Sequence, residues 1–191
     1  EFIADGSDNF SALIERLSEL GGEGQSRWSV GKFELERGAL EFYDAAADLS
    51  FRLTAISVAA DSIAPVADFP FELQLAGVSG GNTLHFSLQG RGRIDPDASR
   101  YLGQDLTFKG WLGGEPLPLA GIELEGGIGV ASYDGKSGRA EIKAGKMTLG
   151  GIRSDFELQA MVGDRGTSLA FTLATSPFSP RSVAAAFGSP L

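Results

Sequence analysis

From Trp28 onward, apolar and polar residues alternate along most of this chain with a period of two. A strand points successive side chains to opposite faces, so this period predicts half-buried β-strands. In the clearest run, Leu84, Phe86, Leu88, Gly90, Gly92 and Ile94 share one face, and His85, Ser87, Gln89, Arg91, Arg93 and Asp95 share the other. Next, Leu106, Phe108, Gly110 and Leu112 oppose Thr107, Lys109 and Trp111, and Ile122, Leu124, Gly126, Ile128 and Val130 oppose Glu123, Glu125, Gly127 and Gly129. Ala140, Ile142 and Ala144 precede Met147 and Leu149 in shifted phase. Phe156, Leu158, Ala160 and Val162 follow, and Leu169, Phe171 and Leu173 close the series. Earlier, Phe33 and Leu35 lead into a turn expected at Arg37-Gly38. Leu49, Phe51 and Leu53 then alternate until Ile56 and Val58 break phase, which a bulge near Ala55 explains. Phe69, Phe71, Leu73 and Leu75 alternate with Pro70, Glu72 and Gln74.

The tight connections at Asp134-Gly135 and Asp164-Arg165-Gly166 are hairpin signals, so the strands are antiparallel. Helical patterns occur only at the ends. Phe10, Leu13, Ile14, Leu17 and Leu20 predict an amphipathic helix over 8–20, capped by Ser7 and Asp8 and stopped by Gly21-Gly22. Ser179-Pro180 opens a short helix that Gly188 ends. The expected fold is therefore mainly β: a large curled antiparallel sheet of about nine or ten strands. It forms one domain over 1–191, with a helical lead-in (1–26), the sheet (27–176) and a C-terminal helix (178–188). So few helices leave the apolar face either lining an open half-pipe or closed on itself as a barrel or sandwich.

Composition narrows the function. The formal net charge is -9, and no basic stripe exists to meet a nucleic-acid backbone. The absence of cysteine removes disulfides and thiolate metal sites. The single histidine, His85, lies mid-strand on the polar face, with no nucleophile or orienting carboxylate at a recognisable spacing. Gly135-Lys136-Ser137 imitates the end of a phosphate loop, but Val130 stands where the motif needs glycine. Asp95-Pro96-Asp97 reads as a turn. Glu123 and Glu125 read as alternating residues of a solvated face, and Trp111 with Arg91 and Arg93 is a candidate sugar or partner patch. No catalytic residue, cofactor or metal is expected.

Four segments resemble the AsmA-like family of bacterial envelope proteins. They are Val30 to Asp44, with its glycine at Gly38; Leu88-Gln89-Gly90-Arg91-Gly92-Arg93-Ile94-Asp95; Gly121 to Glu125 leading to Tyr133-Asp134; and Phe178-Ser179-Pro180-Arg181 through Gly188. The resemblance covers roughly 28–188. It implies a periplasmic β-rich body, tethered to the inner membrane by a segment outside this sequence, that handles phospholipid or supports outer-membrane homeostasis.

The residues expected to contact lipid are Leu84, Phe86, Leu88, Ile94, Phe108, Ile122, Leu124, Ile128, Phe156, Leu158, Leu169 and Phe171. Acyl chains would gain about 0.8 kcal/mol per buried methylene on such a face, though the same residues would equally pack a closed core. The alternative function is a protein-interaction scaffold that assists outer-membrane protein assembly through an exposed strand edge. The expected partners are thus phospholipid or another acyl-chain lipid and envelope proteins, with no nucleic acid.

Overall fold

The computed structural model describes residues 28–44, 49–79, 81–114, 121–163, 166–179, 181 and 184. They form one sheet of nine strands: β1 (Val30–Asp44), β2 (Leu49–Ile63), β3 (Asp68–Ser79), β4 (Asn82–Asp95), β5 (Arg100–Gly113), β6 (Ile122–Asp134), β7 (Arg139–Leu149), β8 (Ile152–Gly163) and β9 (Gly166–Thr175). Each strand pairs antiparallel with its neighbours in sequence, in the order β1 to β9. The sheet is open, because β1 and β9 do not meet. Extensive contacts between strands run only between such neighbours, so no second layer covers either face among the described residues. The barrel and sandwich alternatives are therefore not what this chain forms.

Several long strands change phase partway along. Arg37 (φ 55°), Ala55 (φ 50°), Asp105 (φ 50°) and Ala144 (φ 54°) each take a left-handed conformation beside a register shift. Such a conformation costs roughly 1–2 kcal/mol for a residue with a Cβ. The bulge repays it by keeping one apolar face. Without the extra residue, every side chain beyond it would move to the opposite face. The bulge expected near Ala55 is therefore present.

Three other expectations need correction. Arg37-Gly38 is a bulge within a continuous β1, because Gly38 stays opposite Ile56 and Leu40 opposite Leu53. Val130 does not share the apolar face. It stands opposite Gln104, itself opposite Arg91, while Ala131 continues the apolar row between Gly103 and Ile142. Ala144 is the bulge residue of β7 and does not extend the row of Ala140 and Ile142. The helix expected over 8–20 lies outside the described residues. Of the C-terminal helix beyond Ser179, only Arg181 and Ala184 are described, both helical.

Side chains build the turns. Asp134 Oδ1 accepts from the backbone N–H groups of Ser137 (2.9 Å) and Lys136 (3.0 Å), closing the β6–β7 turn. The Ser137 N–H first, aided by Arg100, holds the Asp134 carboxyl below its ordinary value. Asp95 Oδ1 accepts from the Ala98 N–H at 3.0 Å, so Asp95-Pro96-Asp97 is indeed a turn. The two turns are tied together: Lys136 Nζ donates to the Asp97 carbonyl (2.9 Å), and the Gly135 N–H to that of Ser99 (2.8 Å).

Candidate functional site

The register brings all twelve expected lipid-contacting residues to one face, in rows that cross the sheet. Leu84 and Ile122 flank Leu112, and Phe86 and Leu124 flank Gly110. Leu88 stands opposite Phe108, Ile128 opposite Leu106, and Ile94 opposite Tyr101. On the far side, Phe156 pairs with Leu173, Leu158 with Phe171, and Ala160 with Leu169. The strands are 10–15 residues long, so this face extends roughly 35–50 Å along the strands and about 40 Å across them.

A single-layer sheet has no opposing layer to bury its side chains, and here some lie down on the sheet itself. Phe69 covers Gly92, where an added Cβ would fall 2.7 Å from its Cζ; Phe156 covers Gly145 in the same way, at 2.6 Å. Leu106 lies over Gly90 and Phe108 over Gly126. Phe69, Leu106 and Phe108 are buried to 8%, 6% and 7% exposure, although no second layer of described residues is stacked above them. The glycines on the apolar face act as seats for neighbouring side chains, chiefly aromatic rings. Most other apolar side chains stay half-buried or exposed, among them Phe33, Leu112, Tyr133, Leu149 and Leu169.

Twist hollows both faces of the sheet. On the apolar face, near the β4–β5 and β6–β7 turns, a trough of about 620 Å³ runs across β1 to β8. Phe33, Phe71, Ile94, Tyr101, Tyr133, Ile142 and Leu158 are among its walls, and Tyr101 and Tyr133 stack at 6.0 Å. Of the twelve expected residues, only Ile94 and Leu158 line this trough. Periodicity alone hid Tyr101, because it sits an odd number of residues from Leu106 and only the Asp105 bulge restores it to the apolar face. The larger hollow, about 840 Å³, carries Glu72, Glu125 and Asp155 against Lys109, Lys146 and Arg153. Its charges balance and point to no ligand class, so the apolar trough is the better candidate despite its smaller volume.

The polar face holds the remaining candidates. Exposed His85 lies tilted against Trp111, ring centroids 5.7 Å apart. Arg91 and Arg93 are six and eight residues further along β4, roughly 20 Å or more away, and are paired with Asp105 and Asp68. The patch of Trp111 with these arginines is therefore not assembled. Nor is a phosphate loop: the N–H groups of Lys136 and Ser137 are taken by Asp134. Among the described residues no cluster of His, Asp and Glu has metal-binding geometry, and no helix is long and apolar enough to cross a membrane. No known protein family, curated protein or solved structure matches this chain.

Proposed function

We propose that this chain is a non-catalytic module of the bacterial cell envelope that holds the acyl chains of phospholipid against its apolar sheet face. The observation that carries this reading is the apolar face that no described residue covers with a second layer, with its trough crossing eight strands. Exposed apolar area of this extent marks an interaction surface in a folded protein. Acyl chains match it chemically, since they need no hydrogen bonds and gain about 0.8 kcal/mol per methylene removed from water. The four segments similar to AsmA-like proteins support a periplasmic location, a tether to the inner membrane outside these residues, and a role in phospholipid transfer or outer-membrane homeostasis.

Adjacent residues on opposite faces offer a test. A photo-crosslinking phenylalanine analogue at Phe71, in the trough, is expected to capture phospholipid in bacterial cells, and one at Glu72 is not. The pair Ile142 and Lys143 should behave alike. Equal labelling at both members of each pair, or none at Phe71 and Ile142, would sink the proposal.

A further inference from the structure

The two edges of the sheet are built differently. β1 spans Val30–Asp44 and carries six charged residues, Lys32, Glu34, Glu36, Arg37, Glu41 and Asp44. Charge is a standard guard against unwanted strand pairing. β9, Gly166–Thr175, has no charged residue, no proline and no bulge in its pairing with β8. Leu169, Phe171 and Leu173 on it are 66%, 53% and 46% exposed. The guard present at one edge is missing from the other.

Among the described residues no strand pairs with the outer edge of β9, and its outward backbone groups can be assigned. The Ser176 N–H donates to the Arg153 carbonyl at 2.9 Å, and the register continues unbroken from Ser154↔Thr175 to Gly163↔Gly166. In an antiparallel pair, alternate residues bond to the same neighbour. Ala174, Thr172, Ala170 and Ser168 therefore bond to β8, while Leu173, Phe171 and Leu169 turn their N–H and C=O groups outward. The residues with free edge groups are those whose side chains lie on the apolar face.

We infer that β9 is a self-pairing edge that joins a second copy of this chain. A two-fold axis normal to the sheet, passing beside Phe171, makes the two β9 strands antiparallel and keeps both apolar faces on one side. Phe171 then meets its own mate, and Leu169 meets Leu173 of the other copy. This centring overlaps all three large apolar residues. It also brings no like charges together and places the charged β1 edges at opposite ends of the joined sheet, which suits two chains of net charge -9. A partner strand bearing charge would lack a counter-charge on β9.

Because the sequence contains no cysteine, one introduced thiol reports the register. At the axis, Phe171→Cys places two Cα atoms about 5.5 Å apart, within disulfide reach. Thr175→Cys places them roughly 27 Å apart. Mild oxidation of the full chain is expected to convert Phe171→Cys to covalent dimer and leave Thr175→Cys monomeric. Sedimentation of the unmodified chain should show a concentration-dependent dimer. Phe171→Pro, which removes an outward N–H and no bond to β8, should abolish that dimer with an unchanged circular dichroism spectrum. Should that variant fail to fold, the cysteine pair decides. A chain monomeric at every concentration, equal crosslinking of both cysteines, or dimer surviving in folded Phe171→Pro would overturn the inference, as would association only with an unlike protein.

Discussion

Replacing Phe108 by aspartate is expected to unfold the sheet, whereas aspartate at Phe86 or Leu124 on the same face leaves it folded. Phe108 is 7% exposed and reaches over Gly126 with the tip of its ring. Its loss removes roughly 3–5 kcal/mol of ring burial, and the carboxylate meets backbone and apolar atoms instead of water. That takes most of the stability of a domain held by roughly 5–15 kcal/mol. Phe86 and Leu124 are only half-buried, with no layer of described residues above them. Phe86→Asp forfeits mainly its contact with Phe108, whose ring centroid lies 6.3 Å away; such pairs contribute about 0.5–1.5 kcal/mol. Urea denaturation of the three variants is the check. In a closed core, all three would fail together.

The second large effect is at Gly126. An added Cβ would collide with the Lys146 carbonyl oxygen, come 2.5 Å from Phe108 Cζ and reach Met147 Cα at 2.9 Å. Two of these obstacles are backbone, so no rotamer change clears them. Gly126→Ala is expected to destabilise by about 2–3 kcal/mol, read as a lower urea midpoint. Gly31→Ala, where nothing lies within 4 Å, should stay within about 0.5 kcal/mol. Equal effects at the two sites would mean that Gly126 is not packed against Phe108 and the β7 backbone.

These contrasts show what strand periodicity conveys. Leu84 to Ile94 alternate without interruption and pair with β3 without a shift, so their shared face is legible directly. Ile56 and Val58 break phase in a way that exposes the bulge at Ala55. Asp105 and Ala144 leave weaker traces: Gly103 has no side chain to betray the phase of β5, and Ala144 is itself apolar. Alternation therefore misses Tyr101 and Ala131 and places Val130 on the wrong face. Whether an apolar face is covered is not written in alternation at all, since a closed core and an open sheet share one pattern. Only the pairing order, with β1 and β9 apart, separates them. The glycine seats are equally invisible along one strand, because Gly126 acquires its meaning from Phe108 on the next.

The lipid-holding role is tested most directly by what the purified chain carries. Organic extracts of the protein, isolated from bacterial membranes in a mild detergent and quantified by mass spectrometry, are expected to contain phospholipid at near-stoichiometric amounts. The amount should fall sharply in the folded Phe71→Asp variant, which places a charge in the trough crossing the apolar face. A folded chain free of lipid, with no uptake of added phospholipid, would contradict the account.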